Sequence, residues 1–138
     1  MRRTLIYMFA AVSIMAAVSC SKDSESQEYF IEKCLDGGLV IANETIFDYD
    51  ENTCQMAFNE SALQYRVSND TMSDFYVLDC NRRPGEVGST LKATLTWSTD
   101  VDVRQRSGLE FKVIRAQGDW FWLWNRKNDI GVVVREAK

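Results

Sequence analysis

The sequence contains no histidine among its 138 residues, and this absence bears first on catalysis. Histidine is the commonest general base at neutral pH and the centre of the Ser-His-Asp and Cys-His arrangements. A carboxylate pair could serve a glycosidase, but no close pair falls on positions predicted to face a core. A thiol without a histidine or a cationic cluster beside it has no evident cause for a lowered pKa. The sequence therefore predicts a protein that is not an enzyme and has no catalytic residues.

The same absence bears on metal sites and cofactors. The three cysteines after residue 20 are separated by 19 and 25 residues, which does not fit the close pairs of a zinc site. Asp48, Asp50 and Glu51 could offer oxygens to Ca²⁺, but this loop lacks the glycine and the distal glutamate of an EF-hand. We expect neither a metal ion nor another cofactor.

Long apolar runs are also lacking, and the single candidate lies at the N-terminus. Residues 4–18 are apolar over 15 positions, too few to span a hydrocarbon core of about 30 Å comfortably. Arg2 and Arg3 precede the run and small residues follow it, which is the order of charges and apolar residues in a secretory signal peptide. The run is therefore interpreted as a leader and not as a transmembrane anchor.

The end of this leader carries a specific motif. Ala17-Val18-Ser19-Cys20 resembles the lipobox that precedes the lipid-modified cysteine of bacterial lipoproteins. The acidic residues 21–25 are similar to the export signal of Bacteroidetes lipoproteins that reach the cell surface. The resemblance implies a signal peptide over residues 1–19, a lipid anchor such as palmitate on Cys20, and an outer-membrane location with surface exposure. It covers about the first 25 residues, and the folded part resembles no family.

A second motif of the same phylum lies in a polar, loop-like stretch. Asp70-Thr71-Met72 is similar to the three-residue O-glycosylation site of Bacteroidetes proteins. The resemblance implies a glycan on Thr71, and an exposed turn is the setting that this modification needs.

Length and charge bound the rest of the molecule. Cleavage after residue 19 leaves 119 residues, enough for one domain, which we place at 29–138 behind a flexible tether at 20–28. Removal of Arg2 and Arg3 leaves 14 of the 16 basic residues and all 20 acidic ones, so the net charge becomes −6. Because no basic cluster stands out in the sequence, nucleic acid is not an expected partner.

The hydropathy pattern predicts an all-β domain with one short N-terminal helix. Tyr29, Phe30, Lys33 and Cys34 recur at helical spacing, and glycines at 37–38 end the helix. After them the period becomes two, which is typical of antiparallel strands. The expected architecture is a small antiparallel barrel, OB-like, or a β-sandwich. We expect strands at residues 39–42, 53–58, 62–68, 75–80, 90–97, 109–116, 120–124 and 130–134.

Three alternating tryptophans form the most conspicuous segment. A turn at positions 117–118 would pair Arg115 with Trp120 and place Trp122 and Trp124 opposite apolar residues. This pairing predicts that the tryptophan face is core. Trp120 and Arg115 then remain as a cation-π pair or as the rim of a binding site.

Two further features are candidates for function or for covalent structure. Arg82 and Arg83 lie in a turn and could bind a carboxylate or a phosphate. In an oxidising compartment, Cys34, Cys54 and Cys80 predict one disulfide and one free thiol. All three pairings stay open, with one that uses Cys34 favoured, since a strand should separate Cys54 from Cys80.

The leading functional hypothesis is a non-enzymatic surface lipoprotein that binds a protein or a glycan. The alternative is an inhibitor or immunity protein that blocks an exported enzyme or toxin with its acidic surface. A small glycan-cleaving enzyme and a structural subunit of an envelope assembly are further readings. The ligand, the oligomeric state and the inner or outer leaflet are not determined by the sequence.

Overall fold

A computed structural model describes residues 25–136 of the chain. Within that range one helix, α1, covers residues 25–33, and nine strands follow. The strands are β1 (Gly38–Ile41), β2 (Glu44–Asp48), β3 (Cys54–Asn59), β4 (Gln64–Asn69), β5 (Phe75–Cys80), β6 (Thr90–Ser98), β7 (Val103–Gln117), β8 (Trp120–Asn125) and β9 (Ile130–Arg135). The predicted signal peptide, with its lipobox-like motif, and Cys20 lie outside the described residues.

All nine strands form one antiparallel sheet with the order β2-β1-β9-β8-β7-β6-β5-β4-β3. The sheet curls into a half-barrel, with β2 and β3 at its two ends. Seven consecutive strands, β3 to β9, pair with their neighbours in sequence, and β1 returns to pair with β9. The predicted all-β antiparallel class with one short helix is confirmed in its barrel-like form, with nine strands in place of the five of an OB barrel.

Helix α1 ends where the sequence predicts. Gly37 and Gly38 have φ angles of 134° and 146°, which side-chain-bearing residues rarely adopt. A Cβ on Gly37 would also lie 2.9 Å from the Met56 side chain, so the chain passes there without room for one. At its other end the helix already includes residues 25–28, which the sequence analysis assigned to the tether.

The concave side of the sheet holds the main core. Alternate positions of β6 point inward, as the sequence predicts, and are buried: Leu91, Ala93, Leu95 and Trp97. Tyr76 of β5 spans this interior, because its hydroxyl donates to the Val133 carbonyl oxygen at 2.7 Å and accepts from the Gly38 amide at 3.1 Å. These bonds tie the middle of the sheet to the β1–β9 pair.

The convex side carries a second, smaller core beneath α1. It contains Phe30 and Cys34 from the helix and its end, together with Val40, Trp122, Trp124 and Val133 from three adjacent strands. The indole nitrogen of Trp122 donates to the carbonyl oxygen of Cys34 at 2.7 Å. The tryptophan face is therefore core, as predicted, but a helix covers it. Phe121 and Leu123, on the opposite face of β8, turn into the concave core.

Several details of the predicted sheet are wrong. Strand β2 was not expected, and β7 begins six residues earlier than the pattern indicates. In the β3–β4 hairpin, Asn59 pairs with Gln64 and Met56 pairs with Val67. In the β7–β8 hairpin the turn lies at residues 118–119 and not at 117–118, so Arg115 pairs with Trp122 in place of Trp120. A bulge between Val113 and Arg115 shifts the register again further along β7.

The expected disulfide is also wrong, because Cys34, Cys54 and Cys80 are all free thiols. Cys34 lies in the small core under α1, whereas Cys54 and Cys80 pack against the concave core. Strand β4 separates the strands of Cys54 and Cys80, as the sequence analysis anticipated. Burial raises the pKa of the Cys34 thiol to about 12, and nearby Asp48 acts in the same direction. Burial likewise raises the pKa of Cys80 to about 12.

Candidate functional site

An open groove of about 1020 Å³ lies on the outer surface of β6 and β7 and reaches the β8–β9 turn. We call it the basic groove, because five cationic side chains and one carboxylate line it. The charged residues are Lys92, Arg106, Lys112, Arg126, Lys127 and Glu110. The chain as a whole has a net charge of −4, so this excess of positive charge is local. A concave surface of one sign concentrates ligands of the opposite sign.

Strand alternation places Lys92 and Lys112 on the convex face. Leu91 and Phe111 point into the core, so the neighbouring positions on the two strands point outward. In the register Lys92 pairs with Glu110, and Thr90 pairs with Lys112. Lys92 and Lys112 are therefore diagonal neighbours on one face, a relation in which the two Cα atoms lie roughly 7–8 Å apart. The two ammonium groups present a spaced pair of charges and not a single point.

Asn125 fixes the turn that carries the remaining cations. It is buried, and its amide nitrogen donates to the Glu110 carbonyl oxygen at 3.0 Å. Its side-chain oxygen accepts from the backbone and side-chain nitrogens of Asn128, at 2.8 and 3.1 Å. These bonds hold the β8–β9 turn against β7 and set the place of Arg126 and Lys127.

Across residues 25–136 the groove lysines form no ion pair, although Glu110 is the cross-strand neighbour of Lys92. These lysines are Lys92, Lys112 and Lys127. Lys92 and Lys112 are exposed, so their charges are solvated and accessible. An anion entering the groove can therefore pair with them without displacing an internal partner.

A second groove of about 700 Å³ continues from the first toward α1. The two grooves share Trp124 and Arg126. Trp124 is 4% exposed, and its indole nitrogen has no hydrogen-bond partner among the described residues. The other residues that line the second groove are Glu25, Ser26, Tyr29, Asn43 and Asp129. Together the two grooves form one track over the outer surface, which we call the outer track.

The candidates singled out in the sequence do not lie on the outer track. The guanidinium of Arg115 stands 4.6 Å from the Trp122 ring and donates to Gln117 at 2.8 Å. Trp120 instead has Arg135 over its ring at 5.4 Å. The predicted Arg115–Trp120 pair is therefore wrong, since the turn lies at residues 118–119 and pairs Trp120 with Gln117.

The two arginines of the predicted turn are also elsewhere. Arg82 and Arg83 are exposed beyond the end of β5. Arg83 forms an ion pair with Glu60, and its guanidinium lies 5.5 Å from the Phe58 ring. That guanidinium already has a carboxylate partner in this exposed position.

The remaining candidates are placed as follows. Thr71 is exposed in the β4–β5 turn, where its hydroxyl lies 2.8 Å from that of Ser73. In the acidic loop, Asp50 accepts a hydrogen bond from the Asn52 amide at 2.9 Å. No group of three or more histidine, cysteine or acidic side chains that could hold a metal occurs between residues 25 and 136.

No cation of the basic groove was predicted from the sequence to be a site residue. The cations come from three segments separated along the chain, namely Lys92 on β6, Lys112 on β7 and Lys127 in the β8–β9 turn. The available signal was the alternation in β6 and β7, which places lysines between inward-facing apolar residues. Alternation does not predict the register of β6 against β7, and this register is what places Lys92 near Lys112.

Comparison with known proteins adds no relative: no family model, curated protein or solved structure matches this chain. In the part of the chain that is described, the one helix is too short and too polar to cross a membrane. The function is therefore inferred from the residues that line the outer track.

Proposed function

We propose that the chain is a lipid-anchored outer-membrane lipoprotein, exposed at the cell surface, that binds an anionic ligand in its basic groove without catalysing a reaction. The lipobox ending at Cys20 and the acidic residues 21–25 support the anchor and the location. The single observation that carries the binding role is the concentration of five cations against one carboxylate in a groove of about 1020 Å³.

The charge of the groove is the opposite of the charge of the chain. Charged surface residues are normally interspersed with residues of the other sign. Here Lys92, Lys112 and Lys127 stand together without ion pairs in the described range. Such mutual repulsion destabilises the fold slightly, and an anionic ligand would relieve it.

The chemistry of the groove supports binding and not turnover. Its single carboxylate, Glu110, has no second acid within the lining that could complete a general acid–base pair. The two thiols whose pKa is raised to about 12 by burial, Cys34 and Cys80, are protonated at neutral pH and lie away from the groove.

The test uses intact cells that express the full chain, with fluorescent polyglutamate and fluorescent dextran sulfate as probes. The double variant Lys92→Gln/Lys112→Gln should bind either probe roughly tenfold or more weakly, because each lysine loses a charge-assisted contact. External protease and Cys20→Ala should each remove the bound probe from the cells, since both release the domain.

Lys33→Gln/Arg82→Gln is the matched control, with the same change of charge at two exposed positions outside the groove. It should bind as the unaltered chain does. Equal losses in the two double variants would show that only net charge matters and would contradict a groove site. A tight complex with a basic enzyme that both double variants retain would support the alternative, an inhibitor or immunity protein acting through its acidic surface.

A further inference from the structure

We propose that the anionic ligand is a linear acidic polysaccharide, whose carboxylate or sulfate groups pair with the basic groove and whose sugar hydroxyl groups contact the second groove, where Glu25 and Asp129 provide carboxylates. This inference rests on the proposed function, because it names the class of ligand for the same site. Its basis is the shape of the track, the spacing of the charges and the strand pairing beneath them.

The outer track extends across several strands of the sheet. It begins at Lys92 on β6, crosses β7 and β8, and reaches Asn43, directly after β1. In the sheet order, β6 and β1 are four inter-strand steps apart. At about 4.8 Å a step, the track spans roughly 19 Å, which is long enough for several sugar residues and too long for one small anion.

The cations are distributed along the basic groove and do not converge on one point. Lys92 and Lys112 are diagonal neighbours across two strands, and Lys127 follows in the turn after β8. A single phosphate or carboxylate would be bound by donors that meet at one place. Cations in a row match a polymer that repeats its charge.

Neutral hydrogen-bonding groups occur between the cations. A polysaccharide needs such partners, because each sugar presents hydroxyl groups as well as any charge. The neutral polar residues of the outer track are Thr90, Ser107, Asn125 and Asn128 in the basic groove and Ser26, Tyr29 and Asn43 in the second groove. The second groove also contains Glu25 and Asp129, whose carboxylates can accept hydrogen bonds from sugar hydroxyl groups but would repel the charged groups of the ligand.

The strand pairing disfavours an acidic peptide. Extended peptides usually gain affinity by adding a strand to a free sheet edge. The track lies over β6, β7 and β8, each of which is paired on both sides, and the sheet ends at β2 and β3. A peptide on this face would find side chains but no free backbone groups.

The lining also disfavours single-stranded nucleic acid and a flat lipid surface. Bases stack on exposed aromatic rings, but Trp124 is buried and Tyr29 is half-buried. A bilayer is flat, whereas the basic groove is concave with a volume of about 1020 Å³. A flexible chain of sugars can enter such a groove.

The closing experiment measures binding by the purified full-length protein in detergent. The probes are size-defined oligosaccharides of polygalacturonate and of chondroitin sulfate, neutral dextran, polyglutamate of matched charge, and vesicles containing phosphatidylglycerol. Affinity for the acidic oligosaccharides should rise with length and then level off once the track is filled. Dextran should not bind.

Variants connect this binding to the track. Lys92→Gln/Lys112→Gln should weaken oligosaccharide binding roughly tenfold or more, and Lys33→Gln/Arg82→Gln should change it less than about twofold. Near-UV circular dichroism verifies that each variant is folded. Raising the salt concentration from 50 to 500 mM should weaken the binding, because exposed charges are screened.

The outcomes separate this inference from the proposed function. Polyglutamate that binds as tightly as the oligosaccharides, with the same loss in Lys92→Gln/Lys112→Gln, overturns the polysaccharide and leaves the anion site standing. Binding to the vesicles alone overturns it in favour of a lipid surface. Failure of every anionic probe to bind overturns both proposals.

Discussion

Trp122 connects the two layers of the molecule through a single side chain. It is 2% exposed and lies beneath α1, with its indole nitrogen bonded to the Cys34 carbonyl oxygen at 2.7 Å. That carbonyl follows directly after the helix, where the last carbonyl groups lack partners within the helix. The tryptophan therefore satisfies a helix end and fills the convex core at once.

We expect Trp122→Phe to lower the free energy of unfolding by about 2 kcal/mol. The change leaves the buried Cys34 carbonyl without its donor and reduces the volume that packs under the helix. Urea denaturation followed by circular dichroism measures the loss. Trp120→Phe is the control, because Trp120 is half-buried and should cost less than half as much. Equal losses would contradict the role given to the Trp122 hydrogen bond.

For single residues, the sequence predicts which side chains are buried but does not predict which residues pair across neighbouring strands. Alternation predicts that Trp122 and Trp124 share a buried face, and both are buried. The predicted partner of Arg115 is wrong, because the turn lies at residues 118–119, one position later than the pattern indicates, and this shifts every pair next to it. The lysines of the basic groove escaped notice for the same reason, since their proximity depends on register.

Helix α1 is the element most dependent on one contact with the sheet. The Phe30 ring lies directly over Gly131 of β9, and a Cβ added there would be 2.6 Å from the ring. Gly131 pairs with Trp124, whose ring stacks on Phe30 at 5.8 Å between centroids. The missing side chain at position 131 therefore lets the helix approach the sheet closely.

We expect Gly131→Ala to destabilise the protein by about 2 kcal/mol, since the helix must shift or the phenylalanine must leave its rotamer. A double-mutant cycle with Phe30→Ala tests the cause. Without the ring, Gly131→Ala should cost much less, so the two changes should not add. Additive losses in urea denaturation would show that the alanine acts through some other contact.

Among whole elements, α1 and β5 were predicted and β2 was missed. Apolar spacing and the glycine pair identify α1 because both signals are local. Residues 44–48 have one buried position, Phe47, in a strand that is otherwise exposed, so their alternation is weak. The strand forms because the turn after β1 brings it back as a hairpin, with Ala42 and Asn43 both at positive φ.

Over the whole molecule, burial raises the pKa of several cysteine thiols and tyrosine hydroxyls. The pKa values of the Cys34 and Cys80 thiols are raised to about 12 from an ordinary 9.0, chiefly by burial. Burial also raises the pKa of Tyr65, whose hydroxyl bonds to Glu136 at 2.6 Å, and that of Tyr76, which spans the concave core. The folded state thus retains protons that the unfolded chain releases.

Stability should therefore be constant up to about pH 9 and fall above it. Each thiol contributes a loss of about 1.4 kcal/mol per pH unit between its unfolded and folded pKa values, 9.0 and about 12. Urea denaturation at pH 8 and pH 10.5 measures the difference. Cys34→Ala/Cys80→Ala should show a shallower dependence, with the tyrosines supplying what remains. A stability that rises with pH in this range would contradict the burial of these groups.

The pairing of β1 with β9 has a consequence for how the chain acquires its structure. Strands β3 to β9 meet neighbours in sequence, so this meander can form progressively as the polypeptide emerges. Helix α1 and β1 come first in the chain, yet their partners come last, and the hydrogen bond from Trp122 to Cys34 joins positions 88 residues apart. The N-terminal segment must therefore wait, with its apolar side chains unprotected, until the final strand is available. The contacts of α1 and β1 with the sheet are therefore the last to form.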